Sequence, residues 1–415
     1  MTTLLSDPVR PTTPVPRPLA VIVAMCVAHV CSMTGFAAFP SLLPALQPLW
    51  QLSNTEAGWI NGIYFAGYVS AVPVMVSLTD RVDARLVYLV GLGFSTLGLA
   101  GFAFAAHDFW TALAWHAVQG IGVGSTYMTG LRVMTDRLPR PAPSRAIAIY
   151  AAMFSVGAAA SFALAGGLGG WLGWQAAFAL AAFGPLAAMA LALIVLRRRA
   201  PDAGERPPTG LLDFRPVLKN RTALGYMLGY AGHSWELFAL RGWLVAFLVY
   251  AGVGGSATAA AGIAGAASLA GVPATIFGNE LAQRFGRRRV ILCVMTAATL
   301  ISWTVGFSAS LPAGIVVALV FAYSIAIMGD SGSLTAGTAG SAAPGYGGAT
   351  LAVHSMLGFG GAFFGPLAIG LVLDAAGGQA STIGWGLAFA AMGLGSAAGG
   401  IGLVLVTRQR REKHG

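Results

Sequence analysis

The chain has 415 residues, of which 56% are hydrophobic and 9% are charged, and its mean hydropathy is +0.74. A typical soluble domain is roughly 25% charged. A soluble fold therefore cannot bury this much apolar surface, and the composition predicts a polytopic membrane protein. The net charge of +10 does not predict a nucleic-acid-binding protein, because the basic residues flank apolar segments, where anionic lipid headgroups lie.

Short motifs exclude further classes of function. Cys26, Cys31 and Cys293 lie in apolar segments, which indicates small buried side chains and no disulfide framework. No Gly-x-x-x-x-Gly-Lys-[Ser/Thr] motif occurs, and lysine is found only at positions 219 and 413, which excludes a P-loop ATPase. No His-Glu-x-x-His or nucleophile–base pattern indicates an enzyme. We therefore expect no enzymatic activity, no cofactor and no metal.

The chain begins with residues 1–17, which contain four prolines and are predicted to form a disordered cytoplasmic tail. The apolar run at about 18–40 is longer than a cleavable signal segment. It is also long enough to cross a hydrocarbon core, which takes roughly 20 residues per helix. Further runs of this kind follow at about 55–78, 86–106, 110–134, 144–169, 173–196, 222–251, 257–278, 288–309, 312–336, 347–373 and 381–406, so the sequence predicts twelve spans.

One long polar insertion, 197–221, divides the chain into halves over 18–196 and 222–406, and a short cytoplasmic tail follows over 407–415. Each half carries a similar basic loop between its second and third span, which indicates internal duplication. The predicted fold class is an all-α membrane protein with twelve transmembrane helices in two pseudo-symmetric six-helix halves.

Basic residues are distributed asymmetrically along the spans. All of the 24 lysine and arginine residues except Arg241 fall in segments that face one side of the membrane. The positive-inside rule places those segments, the 197–221 linker and both termini in the cytoplasm. We expect a multi-pass protein of the bacterial inner membrane that acts as a monomer, with the lipid bilayer as partner and no nucleic acid.

The basic loops resemble the major facilitator superfamily signature Gly-x-Leu-x-Asp-Arg-x-Gly-Arg-Arg. The matching residues are Leu78, Asp80, Arg81 and Arg85 in the first copy and Leu281, Arg284, Gly286, Arg287 and Arg288 in the second. Span 4 carries Gln119 before three alternating glycines, which resembles the superfamily's Arg-x-x-Gln-Gly-x-Gly-x-Gly with His116 at the arginine position. Span 5 lacks the Gly-Pro-x-x-Gly-Gly of drug–proton antiporters.

This resemblance implies a secondary transporter in which spans 1, 4, 7 and 10 line a central cavity. It also implies that the basic loops gate the movement of the two halves. The gating candidates are Asp80, Arg81, Arg85, Arg284, Gly286 and Arg287.

Ionisable groups inside apolar spans cost at least ~2.5 kcal/mol each, which makes them functional candidates. The predicted substrate-binding residues are Arg241, His29, Gln119, His116 and Trp235. The predicted proton-coupling residues are Glu236, Asp330, His354 and His233.

Arg241 offers a planar donor fork that suits a carboxylate, a phosphate or another oxyanion. Glu236 lies five residues before it, about 140° around the helix, so a purely local ion pair is disfavoured. Glu236 or Asp330 could still neutralise Arg241 from a neighbouring helix. Asp330 and His354 lie at similar depths, which permits a carboxylate–imidazole relay, although Asp330 could equally satisfy backbone groups near the adjacent glycines.

These features predict a secondary active transporter that moves a small organic or inorganic anion with protons, or with another coupling ion, by alternating access. An alternative is a proton-coupled exporter of drugs or amphipathic cations, in which Glu236 and Asp330 would bind the cation. A transporter-like sensor is a third interpretation, disfavoured because neither tail exceeds about twenty residues.

Overall fold

A computed structural model describes residues 18–79, 81–139, 144–199 and 214–408. Within those ranges every regular element is an α-helix. The helices are α1 (Pro18–Ser32), α2 (Ala38–Leu49), α3 (Asn54–Leu78), α4 (Ala84–Ala105), α5 (Phe109–Gly124), α6 (Tyr127–Thr135), α7 (Ser144–Leu172), α8 (Trp174–Ala181), α9 (Phe183–Val195), α10 (Arg215–Lys219), α11 (Arg221–Tyr250), α12 (Ala257–Phe285), α13 (Arg287–Gly306), α14 (Ala313–Met328), α15 (Ser331–Gly340), α16 (Gly347–Ala375) and α17 (Thr382–Arg408). The predicted tail over 1–17, Asp80 and most of the predicted linker lie outside the described residues.

The described helices make twelve crossings, which confirms the predicted fold class. Four crossings are divided in two: span 1 into α1 and α2, span 4 into α5 and α6, span 6 into α8 and α9, and span 10 into α14 and α15. The short helix α10 precedes span 7. Spans 1 to 6 form one half and spans 7 to 12 the other. Because the number of crossings is even, Pro18 and Arg408 lie at the same end of the bundle.

Nine crossings within the described ranges are long and apolar enough to cross a membrane by length and composition alone. The other three are spans 1, 4 and 7. Spans 1 and 4 are divided into shorter helices, and span 7 carries His233, Glu236 and Arg241. The crossings that depart from a plain apolar helix thus belong to the set expected to line the cavity.

Span 1 is longer than predicted, because it turns at residues 33–37 and continues through α2 to Leu49. Pro40 has no backbone N–H with which to bond the carbonyl of Phe36, and proline is tolerated in the first turn of a new helix. Backbone groups of this buried turn that lack a helical partner bond to side chains instead. Ser161 Oγ accepts from the Ala37 N–H at 2.9 Å, and Gln119 Nε2 donates to the Gly35 carbonyl at 2.9 Å.

Spans 4 and 10 also break, at Ser125–Thr126 and at Gly329–Asp330. Each is the fourth span of its half, so the two breaks occupy corresponding places in the duplicated fold. Asp330 therefore lies at a helix junction and not within a continuous helix.

The two halves pack through α3 against α16 and through α7 against α12. At the end opposite the termini, Asp374 accepts hydrogen bonds from Asn54 and Thr55, and Thr258 Oγ1 donates to the Gly166 carbonyl at 3.0 Å. These bonds hold the bundle closed at that end.

Candidate functional site

Arg241 lies on α11 with only 5% of its surface exposed. Its Cζ atom is 5.5 Å from the centroid of the Phe238 ring and 6.0 Å from that of Phe154 on α7. Among the described residues, its Nε and Nη1 atoms are buried without a hydrogen-bond acceptor. Ring faces stabilise a desolvated cation by about 2 kcal/mol, whereas the effective penalty for burying an ion is several kcal/mol. The guanidinium is therefore poorly compensated by the protein alone.

Arg241 lines a cavity between the two halves. Its other polar lining side chains are Asn61, Tyr64 and His116, all from the first half. Four phenylalanines also line it: Phe36, Phe65, Phe162 and Phe238. The cavity measures about 20 Å³, which is room for a single water-sized molecule. Binding a larger solute here requires the halves to separate.

His116 lines this cavity, and one of its ring nitrogens has no partner among the described residues. Its Nδ1 lies 2.6 Å from the Ile60 carbonyl, which accepts only, so Nδ1 carries the proton. Nε2 is then a free acceptor, buried without a partner among the described residues, and the same holds for the Tyr64 hydroxyl. Gln119 is not a lining residue, and its amide holds the turn of span 1 through Gly35.

His29, a predicted substrate contact, lies on α1 inside an aromatic cluster. Its ring stacks on Tyr150 at 4.7 Å and tilts against Tyr127 at 5.4 Å and Phe154 at 6.3 Å between ring centroids. Both of its ring nitrogens are buried without a partner in the described part of the chain. Phe154 is the residue that links this cluster to Arg241.

Glu236 is fully buried inside the second half. Its Oε1 atom accepts from the Tyr323 hydroxyl on α14 at 2.8 Å, and Oε2 accepts from Ser396 on α17. The carboxyl group therefore faces spans 10 and 12, whereas Arg241 contacts Phe154 of the first half. The structure does not pair Glu236 with Arg241.

Asp330 contacts His233 and not His354, which corrects the predicted relay. Asp330 Oδ1 and His233 Nδ1 are 2.8 Å apart, and both side chains are only 2% exposed. Because span 10 breaks at Asp330, the carboxylate points toward span 7. The prediction had compared only the depths of Asp330 and His354 along unbroken helices. Asp330 is thus also not a partner of Arg241.

His354 is bonded to two threonines of α15. Thr338 donates its proton to the Leu334 carbonyl at 3.0 Å, so the hydroxyl accepts from His354 Nδ1 at 3.1 Å. His354 Nε2 then accepts from Thr335 at 3.3 Å. The Tyr230 ring stacks on both imidazoles, with centroids 4.0 Å from His354 and 5.6 Å from His233. The two histidines are therefore linked through a phenol ring and not by a direct bond.

Trp235, predicted to contact substrate, is placed elsewhere. Its Nε1 atom donates to the Ala391 carbonyl on α17 at 3.1 Å, and it does not line the Arg241 cavity. The indole faces span 12 because it lies six residues from Arg241, about 240° around the helix.

Among the gating candidates of the first loop, Arg81 is exposed and Asp80 lies outside the described residues. Arg85 donates from Nη2 to the Leu193 carbonyl at 3.2 Å. Asp83, at a position where the superfamily signature has another residue, caps α4. It accepts from the Arg85 and Arg199 backbone N–H groups at 2.9 and 3.0 Å. Asp83 is thus an acidic residue bonded within this loop that the motif comparison did not predict as a site residue.

The second loop turns at Gly286, whose φ of 94° lies in a region that favours glycine. This glycine ends α12 and begins α13. Arg284 is exposed with its Cζ 5.4 Å from the Phe285 ring centroid, and Arg287 is partly exposed. The glycine of the superfamily signature is therefore present at position 286 because the backbone there adopts a positive φ.

Tyr64, Asn61 and the four lining phenylalanines were not predicted as site residues. A tyrosine or phenylalanine in an apolar span is indistinguishable from ordinary packing in a single sequence. Only the close approach of α3, α7, α11 and the turn at residues 33–37 shows that these side chains share a cavity with Arg241.

A family model described as the Major Facilitator Superfamily matches residues 25–366. Over 231 residues the chain is 26% identical to the probable sphingolipid transporter spinster homolog 2 of Arabidopsis thaliana, covering 51% of this chain and 47% of that protein. Over 212 residues it is 24% identical to the probable L-galactonate transporter of Escherichia coli (strain K12), covering 48% and 47%. The chain thus spans about half the length of the curated relatives it matches.

Two solved structures share the fold. One is an inward-facing, occupied bacterial homolog of the human lysosomal transporter spinster, with a TM-score of 0.76 and 17% identity, covering 94% of this chain and 96% of that one. The other is the nucleoside transporter NupG, with a TM-score of 0.74 and 12% identity, covering 93% and 99%. At these identities the likeness concerns the fold alone.

Proposed function

Since this chain belongs to the Major Facilitator Superfamily, we propose that it is a secondary transporter that moves a small anion together with protons across the bacterial inner membrane. The observation that carries this proposal is Arg241. It is a buried guanidinium between the two halves whose Nε and Nη1 have no acceptor among the described residues. An anion bound there would supply the missing charge and both acceptors through a bidentate contact.

The position of Arg241 suits alternating access. It lies on α11 of the second half, while His116, Tyr64 and Phe154 reach the same region from the first half. An anion at Arg241 would contact both halves and respond to their relative movement. At the end opposite the termini the halves are joined by the bonds of Asp374 and Thr258, so passage of a solute through that end requires those bonds to break.

Two intramembrane carboxyl groups are available to carry protons. Asp330 is the stronger candidate, because its contact with His233 lies at the break of span 10 and protonation would weaken that contact. Glu236 is held by two hydroxyl donors within one half. Protonation of Glu236 would alter the hydrogen bonds that join span 7 to spans 10 and 12.

The same contacts weigh against the alternative of a cation exporter. A cation site needs a carboxylate that is free to bind it. Glu236 accepts from Tyr323 and Ser396, and Asp330 lies 2.8 Å from His233 Nδ1, although this pair does not have hydrogen-bond geometry. One relative is a probable L-galactonate transporter, and galactonate is a carboxylate; this supports the negative charge of the proposed substrate and not the rest of its structure.

The test uses purified Arg241→Lys and Arg241→Ala variants, with stability and anion binding measured on the same preparations. Lysine keeps the charge but loses the bidentate fork. We expect both variants to fold and to lose stabilisation by benzoate, gluconate and phosphate, with the greater loss in Arg241→Ala. Low stability that Glu236→Gln or Asp330→Asn rescues, with anion binding intact in the double variant, would instead make Arg241 a structural partner.

A further inference from the structure

Resting on the proposed function, we propose a substrate class for the Arg241 cavity: a monocarboxylate with a flat apolar body that carries at most one further polar group. Charge gives the first argument. Arg241 is the one cationic side chain that lines the cavity in the described part of the chain. A dianion would bring a second buried charge with no counter-charge, and burying an unpaired charge is strongly unfavourable.

The hydrogen-bonding capacity of the lining gives the second argument. Apart from the guanidinium, the fully buried lining atoms without a partner among the described residues are the Tyr64 hydroxyl and His116 Nε2. The Asn61 amide already donates to the Ala57 carbonyl at 3.2 Å and the Gly242 carbonyl at 3.5 Å. A polyhydroxylated body would lose its water without gaining enough partners, whereas a single hydroxyl can bond to Tyr64 and His116.

The shape of the lining gives the third argument. Phe65 and Phe238 lie with ring centroids 4.5 Å apart, and Phe36 meets Tyr64 edge-on at 5.7 Å. Rings in such arrangements accept a further flat ring by offset stacking or edge contact. Phe36 and Phe65 belong to the first half and Phe238 to the second, so separation of the halves widens this slot while its walls remain aromatic.

The experiment measures ligand-induced thermal stabilisation of the purified full chain by four probes. They are benzoate, gluconate as a polyhydroxylated monoanion, inorganic phosphate, and benzylammonium as the cation of similar shape. We expect benzoate to bind at least tenfold more tightly than gluconate or phosphate, and benzylammonium not to bind. We expect Arg241→Ala to abolish the benzoate effect.

A second comparison uses 4-hydroxybenzoate with Tyr64→Phe, which keeps the ring and removes the hydroxyl. This variant should lose affinity for 4-hydroxybenzoate and retain its affinity for benzoate. Trp235→Phe is the matched control, because the indole bonds to Ala391 away from the cavity, and its probe affinities should equal those of the parent.

The outcomes separate this inference from the proposed function. Arg241-dependent binding of gluconate or phosphate in preference to benzoate overturns the substrate class and leaves the anion site standing. Binding of benzylammonium with no response to any anion overturns both, as does a panel in which no anion stabilises the protein. Benzoate stabilisation that persists unchanged in Arg241→Ala places the ligand elsewhere and also overturns the class.

Discussion

Asp374 is expected to hold the closed end of the transporter together, and replacing it should open that end. Its Oδ1 atom accepts from Asn54 N at 3.1 Å and Asn54 Nδ2 at 2.8 Å. Its Oδ2 atom accepts from Thr55 N at 2.7 Å and Thr55 Oγ1 at 2.6 Å. A carboxylate of one half thus caps the first turn of α3 in the other half.

The magnitude follows from these four bonds. Asp374→Asn keeps the shape but removes the charge and one of the two acceptor oxygens. Loss of a capping bond costs ~1 kcal/mol, and loss of a negative charge at a helix N-terminus costs about 0.3–1 kcal/mol. Asp374 is exposed, so we take a total near 1.4 kcal/mol, which corresponds to a tenfold change in an equilibrium constant. The population of states open at this end should rise about tenfold.

The assay is double electron–electron resonance in a variant without native cysteines, with spin labels at Leu49 and Ile383. These residues are 58% and 65% exposed, and they lie in different halves at the closed end. We expect Asp374→Asn to add a longer distance to the distribution.

Glu56→Gln is the matched control for this prediction. Glu56 lies in the same first turn of α3, but it accepts from Ser53 N at 2.8 Å and Ser53 Oγ at 2.9 Å and so acts within its own half. It should leave the distance distribution unchanged. An unchanged distribution in Asp374→Asn, or equal opening in Glu56→Gln, would refute the reasoning.

Three further predictions concern coupling, the second basic loop and topology. Asp330→Asn should fold but lose proton-driven accumulation, in vesicles, of whichever anion the purified protein binds; accumulation equal to that of the parent would transfer the role to Glu236. Gly286→Ala should lower the free energy of unfolding by about 1 kcal/mol or more, because alanine is strained at positive φ, and an unchanged denaturation midpoint would contradict this. In a variant without native cysteines, an impermeant thiol reagent on intact cells should label a cysteine at position 108 and not one at 219; the reverse pattern would invert the topology.

The fold followed from sequence because twelve apolar runs, with basic residues in every second loop, leave few other arrangements. The break of span 1 had a visible signal, since Pro40 cannot bond to Phe36. The breaks at Ser125–Thr126 and Gly329–Asp330 had a weaker sequence signal, because polar and small residues also occur within continuous membrane helices. Helix junctions depend on which neighbouring side chains satisfy the free backbone groups, and a single sequence does not show those neighbours.

A site residue was predictable where it departs from the distribution of basic residues along the chain. Contacts between residues of different spans were not predictable. Arg241 stood out as the one basic residue outside the predicted cytoplasmic segments, and its angular separation from Glu236 already disfavoured a local pair. The partner of Asp330 was not predictable, because His233 lies 97 residues away on another span. Tyr64 was also missed, since its free hydroxyl distinguishes it from a packing tyrosine only in three dimensions.

The most direct test of the central claim is the thermal stability of Arg241→Met without and with benzoate. If Arg241 serves an anion and not the fold, replacing its buried charge with an apolar side chain should leave the ligand-free protein equally stable or more stable. Replacement of buried ion pairs by apolar side chains stabilises proteins by up to about 1–4 kcal/mol. The same variant should show no stabilisation by benzoate. Marked destabilisation of the ligand-free variant, or an undiminished response to benzoate, would contradict the account.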